Sequence, residues 1–167
     1  LVLLVGWGKR LLWTVTAFTV GHSVTLVLAV LGVLSVPQAP IEALIALSIY
    51  FLAVELVRKR SGRTTIMERM PWLVAGGFGL LHGLGFAGAL AEVGLPQEEI
   101  PLALFSFNVG IELGQLAFVA VVLVASLALG RIPVRWPAWT ADVPAYVIGS
   151  LGAFWFFARV MGSVTPI

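Results

Sequence analysis

Cysteine is absent from the chain, which excludes disulfides, thiolate metal centres and a cysteine nucleophile. Charge is nearly as scarce. Asp, Glu, Lys and Arg make up 11% of the 167 residues, where a soluble domain carries about 25%. Methionine occurs only at Met67 and Met70, in a polar connection, and at Met161, late in the last apolar run. A sulfur-lined site of the kind copper(I) favours is therefore excluded. No Walker-type phosphate loop is present, so nothing points to ATP-driven work. A serine hydrolase is a poor fit, because Ser23 points roughly 100° away from its neighbour His22 on a helix, and no strand-turn nucleophile motif exists. No enzymatic activity is expected.

The rest is apolar. Hydrophobic residues make up 60% of the chain and the mean hydropathy is +1.05, the composition of a membrane protein. Every less apolar stretch is only loop-sized, so residues 1–167 are expected to form a single transmembrane domain. Leu1–Val5 is too short to span a bilayer and has neither a charged flank before it nor a cleavage site after it. It reads as the tail of a helix that begins before the sequence does. Five full spans follow: Leu11–Val36, Ile41–Val57, Pro71 to about Leu95, Leu102–Leu129 and Pro144–Met161. The expected fold is all-α, a polytopic transmembrane bundle of five complete helices plus the tail of an N-terminal one.

The charges orient the bundle. Nine of the ten basic residues fall in three alternate loops, at Lys9 and Arg10, at Arg58–Arg69, and at Arg131 and Arg135. The loops at Val36–Ile41 and Gly94–Pro101 hold none. Cytoplasmic loops are enriched in Lys and Arg, so the three basic loops are expected inside and the C-terminus outside. Arg131, Pro133, Arg135, Trp136 and Trp139 form a basic and aromatic connection suited to the headgroup region. Basic residues confined to loops beside spans suit anionic lipid, not nucleic acid.

A few polar residues interrupt the spans. In Phe78–Leu90 (FGLLHGLGFAGAL), His82 lies mid-span, and Gly79, Gly83 and Ala87 recur every fourth residue. Such a small-residue face lets a neighbouring backbone approach closely. His22 is central in an earlier span, on a face with Thr19 and Leu26 and with Ser23 and Thr25 beside it. Asn108, Glu112 and Gln115, spaced i, i+4 and i+7, share a face of another. Glu55 lies toward the basic end of its span, on a face with Ser48, Phe51 and Leu52, within reach of Arg58. Intramembrane ionisable groups are costly and face the bundle interior. Two imidazoles, one or two carboxylates and two amide oxygens at one depth would suit nickel, cobalt or zinc. Taken singly, each residue also reads as interhelical hydrogen bonding. Glu92, Glu98 and Glu99 read as solvated charges, and Phe105, Phe107, Phe154, Trp155, Phe156 and Phe157 as packing or lipid-facing residues.

The motifs FTVGHSVTLVLA (Phe18–Ala29), FGLLHGLGFAGAL and FNVGIELGQL (Phe107–Leu116) occur in that order, with Glu55 in YFLAVELV. Together they resemble the HupE/UreJ family over essentially the whole chain. The resemblance implies a small prokaryotic inner-membrane protein of about six helices, associated with nickel or cobalt uptake for hydrogenase and urease. It also implies that His22, Glu55, His82, Asn108, Glu112 and Gln115 occupy the family's polar positions. Family members usually begin with a helix bearing a histidine and an Asp-His pair, of which this sequence carries only what reads as the tail.

The leading expectation is thus a permease or facilitator for a divalent transition metal, with His22, His82 and Glu112 as ligands. Asn108 and Gln115 would supply oxygens beside them, and Glu55 an exit ligand. Two other readings stay open at this point. One is a non-transporting subunit of a larger membrane complex, or a homo-oligomer, with the polar residues as internal glue. The other is a b-type haem protein ligated by His22 and His82.

Overall fold

The computed structural model describes residues 2–93, 97–131 and 137–164, with side chains at all of these but 89, 91–93, 97 and 164. It is 87% helical and has no strand among the described residues, so the all-α expectation holds. Seven α-helices follow in order among them: α1 (Val2–Val5), α2 (Lys9–Val30), α3 (Gln38–Arg60), α4 (Ile66–Arg69), α5 (Pro71–Val93), α6 (Ile100–Gly130) and α7 (Val143–Val164). Short 3₁₀ turns at Gln97–Glu99 and Ala138–Ala141 precede α6 and α7.

Among the described residues four helices, α2, α3, α6 and Val143–Ser163 of α7, are long and apolar enough to cross a membrane. The other long helix, α5, has 23 residues, six of them glycine. The five long helices agree with the expected spans to within a few residues, except that α2 stops earlier, at Val30. There Gly32, with φ of 73°, turns the chain out of the helix.

The long helices stand in a row, α6–α2–α5–α3–α7, each packed mainly on its neighbours. Apolar burial does little to hold helices together in lipid, so close backbone approach and polar links take over. The α2–α5 pair shows why the glycines matter. A Cβ at Gly79 would overlap the Phe18 carbonyl oxygen, and one at Gly83 the His22 carbonyl oxygen. On the facing helix, a Cβ at Gly21 would lie 3.0 Å from the Leu80 nitrogen. Ala87, the third small residue of the series, packs beside Leu26, Ile100 and Leu104. At the α3–α7 contact, Gly152 plays the same part, with the Tyr50 nitrogen 2.9 Å from where its Cβ would be.

Polar links gather basic residues at one end of the bundle. Arg10 donates to the Glu68 carbonyl, Lys59 donates to the carbonyls of Leu3 and Leu4, and Arg60 pairs with Asp142 at 3.0 Å. At the other end, Arg159 of α7 pairs with Glu42 of α3 at 2.9 Å. The connection between α3 and α5 is more ordered than a plain polar loop. Thr65 and Glu68 form a reciprocal capping box that starts α4. Glu98 and Glu99 are exposed, as expected. Gly94–Pro96, Pro133, Arg135 and Trp136 lie outside the described residues, as does the Glu92 side chain.

Candidate functional site

The six polar residues singled out in the sequence fall into three places, and α2 separates two of them. On this helix Phe18, Gly21 and Thr25 turn toward α5, Thr16, Thr19 and Ser23 turn toward α6, and the His22 ring lies between Phe86 of α5 and Phe107 of α6. The first place holds the imidazoles. His22 is 1% exposed, and neither Nδ1 nor Nε2 has a hydrogen-bond partner among the described residues. Its surroundings are aromatic: Phe18 stacks on it at 6.2 Å between ring centroids, Phe86 meets it edge-on at 5.3 Å, and Phe107 lies at 6.2 Å. Burying a polar ring without a partner costs free energy. A structural histidine inside a membrane would use its nitrogens to bridge helices. His22 bridges none.

His82, at the midpoint of α5, also touches Phe18, edge-on at 5.3 Å. One phenyl ring thus contacts both imidazoles. The His82 Nε2 lies 3.2 Å from Ser48 Oγ on α3. That hydroxyl donates to the Ile45 carbonyl at 2.7 Å, leaving its lone pair to accept from Nε2–H. The resulting tautomer carries its free lone pair on Nδ1. Thr25 completes this face by donating to the Leu80 carbonyl at 2.7 Å. The Phe18 ring lies against both imidazoles and the α2 and α5 backbones touch beside them, so a haem ligated by both histidines would have to displace that ring.

The second place is the seam between α2 and α6. Here Asn108, Glu112 and Gln115 do share one face, as their spacing predicts. Thr16 donates to Glu112 Oε1 at 2.9 Å, and Thr19 faces both Glu112 Oε2 and Gln115 Oε1, the latter at 3.0 Å. Ser23 lies 2.6 Å from Asn108 Oδ1, whose amide nitrogen donates to the Leu104 carbonyl at 2.8 Å. Oxygen atoms line this seam almost throughout.

The third is Glu55, 1% exposed beside the apolar cluster of Leu4, Leu56 and Met67. Its Oε2 accepts the Met67 N–H at 3.0 Å, while Oε1 has no hydrogen-bond partner among the described residues and lies 3.8 Å from Arg58 Nη1. Glu55 is therefore a buried anchor for α4 as well as a partner of Arg58.

Among the described residues, no three His, Asp or Glu side chains gather closely enough to hold one metal ion. The imidazoles meet around Phe18, Glu112 and the two amides meet the hydroxyls of α2, and Glu55 stands apart. Two residues absent from the expected set belong to the site, Thr16 and Phe18. Their spacings were usable signals: Thr16 lies three residues before Thr19, and Phe18 four before His22, each on a shared face. Ser48, expected on the Glu55 face, turns out to hold His82.

Fold and site together define a polytopic α-helical membrane protein with two polar clusters on either side of one helix. The HupE / UreJ protein family model matches residues 1–159, and the chain belongs to that family. No curated protein and no solved structure matches it.

Proposed function

We propose that the protein is a permease or facilitator for a divalent transition metal of the nickel or cobalt type, in a prokaryotic inner membrane. The observation that carries this reading is His22: a buried imidazole in the middle of a span, both nitrogens unpartnered among the described residues, one phenyl ring away from His82. Membership of the HupE/UreJ family, associated with nickel and cobalt transport, supports it. Neutral imidazole suits nickel, cobalt and zinc. A cation in transit would be held by His22 and by Nδ1 of His82, and handed around α2 to or from Glu112, Asn108 and Gln115. Movement of Phe18 and a small shift along the glycine contact would open the way. Glu55 serves as the ligand nearest the basic end. The basic end is cytoplasmic and the C-terminus external, by the enrichment of Lys and Arg in inside loops.

Uptake of nickel or cobalt into proteoliposomes tests the reading. Wild type takes up metal, and His22→Ala and His82→Ala reduce uptake to background. Equal uptake by wild type and both variants would remove it. One observation favours a second reading, a subunit of a larger assembly or a homo-oligomer. Leu102, Phe105 and Leu113 share one face of α6 and are each at least 61% exposed. The mass of the complex extracted in mild detergent, with its metal content, distinguishes the two.

A further inference from the structure

A groove of about 580 Å³ opens on the outer surface at the basic end, between α2 and the start of α5. It is lined by Arg10, Trp13, Thr16, Ala17 and Val20 of α2, with Trp72 of α5 as the opposite wall. The α2 residues form one stripe, because steps of three and four keep a side chain on the same helical face. From Arg10 to Val20 the stripe rises roughly 15 Å. That is half of a hydrocarbon core about 30 Å thick, the depth of a single leaflet.

Chemistry changes sharply along the groove. Its floor is almost wholly apolar, since the one hydroxyl, that of Thr16, is turned away to Glu112. Its mouth carries a guanidinium. Arg10 donates to the Glu68 main-chain carbonyl, which is neutral, and the Glu68 carboxylate faces Lys59 at 3.5 Å instead. No carboxylate pairs with Arg10 among the described residues, so its charge is uncompensated and further N–H donors remain for a ligand. Trp13 and Trp72 flank this mouth and are 68% and 57% exposed. Indoles favour the headgroup level, where one edge is apolar and the N–H is wet.

We propose that this groove is a binding site for one anionic phospholipid. The phosphate sits on Arg10, whose planar fork matches phosphate oxygens. The indoles of Trp13 and Trp72 bracket the glycerol region, and one acyl chain lies along Ala17 and Val20. A free phosphate or a soluble headgroup satisfies the guanidinium but leaves the apolar floor uncovered. A zwitterionic lipid covers the floor but brings no net charge to the mouth. Only an acyl chain and a net negative headgroup together answer both ends. The site does not rest on the permease reading: of the groove residues only Thr16 touches the proposed metal path, through its bond to Glu112, and neither the Arg10 guanidinium nor the two indoles take part in it.

Native mass spectrometry of the full chain in detergent tests it, with phosphatidylglycerol and phosphatidylcholine of identical acyl chains added in equal amounts. The wild type should retain one phosphatidylglycerol in preference to phosphatidylcholine. Arg10→Gln should weaken that retention about fivefold, the worth of one basic residue at a membrane surface. Arg63→Gln, which removes an exposed charge of the same end, should leave it unchanged. Soluble glycerol phosphate should not compete. A second readout covers the case of an unstable variant: phosphatidylglycerol brominated on its acyl chains should quench wild-type tryptophan fluorescence more than that of the Trp13→Phe, Trp72→Phe protein. Equal retention of the two lipids, equal losses in Arg10→Gln and Arg63→Gln, competition by glycerol phosphate, or equal fractional quenching would each overturn the proposal.

Discussion

Replacing Gly79 with alanine adds one methyl at a point where two helix backbones touch, and the consequences can be worked through. That Cβ would overlap the Phe18 carbonyl oxygen and lie 3.0 Å from the His22 nitrogen. Both neighbours are helix backbone, so no side chain can rotate away and α2 must separate from α5. Overpacking of this kind costs about 1–3 kcal/mol. Alanine returns about 0.8–1.0 kcal/mol as the better helix former. Because neither neighbour can yield, the upper part of the overpacking range applies, and the net loss is about 1–2 kcal/mol. That is a factor of about 5–30 in the folded-to-unfolded ratio. Gly114 supplies the control, because nothing lies within 4 Å of the Cβ it would gain. Gly114→Ala should be neutral or stabilising by up to about 1 kcal/mol. Unfolding in mixed detergent micelles reads the two variants on one scale. Metal uptake should fall only for Gly79→Ala, since separating the helices carries His22 away from His82. A Gly79→Ala protein as stable as the wild type, or a Gly114→Ala protein equally weakened, would refute the close-contact argument.

Two further outcomes follow from single hydrogen bonds. Ser48→Ala leaves Nε2 of His82 without its acceptor and frees the ring to change tautomer, which should weaken metal binding about tenfold or more. Ser48→Thr should restore it, and the nitrogen chemical shifts of His82 report the tautomer directly. Glu68 accepts the Thr65 N–H and faces Lys59 at 3.5 Å, and these interactions, the backbone hydrogen bond first, hold its carboxyl below the ordinary glutamate value. A depressed folded-state pKa gives stability that is present above the unfolded value and lost as pH falls through the folded one. Hydrogen exchange of the α4 amides, corrected for its intrinsic pH dependence, should therefore accelerate only below the usual glutamate range. Glu68→Gln should abolish that dependence.

Much of the architecture could be read directly from residue order. Long uncharged runs must be helices in a bilayer, because lipid offers no partner for an open backbone. The glycine spacing of α5 foretold a close neighbour, and the i, i+4, i+7 spacing of Asn108, Glu112 and Gln115 foretold a shared face, since both depend only on helical periodicity. The start of α4 was equally legible in the Thr65 to Glu68 spacing of a capping box, although the expected connection there was a plain polar loop. Depth along each span was legible for the same reason: rise per residue is constant.

Tertiary structure alone decided what those faces meet. Periodicity gives the direction of a side chain about its own axis and says nothing of the azimuth at which the next helix docks. His22 and Thr19 are close in sequence and depth, yet the imidazole sits between Phe86 of α5 and Phe107 of α6 while the Thr19 hydroxyl faces Glu112, and among the described residues no hydrogen bond joins His22 to that carboxylate. The pairing of Ser48 with His82, the phenyl ring of Phe18 against both histidines and the groove between Trp13 and Trp72 exist only between helices. They follow from which helices the glycines allow to touch, and at what rotation.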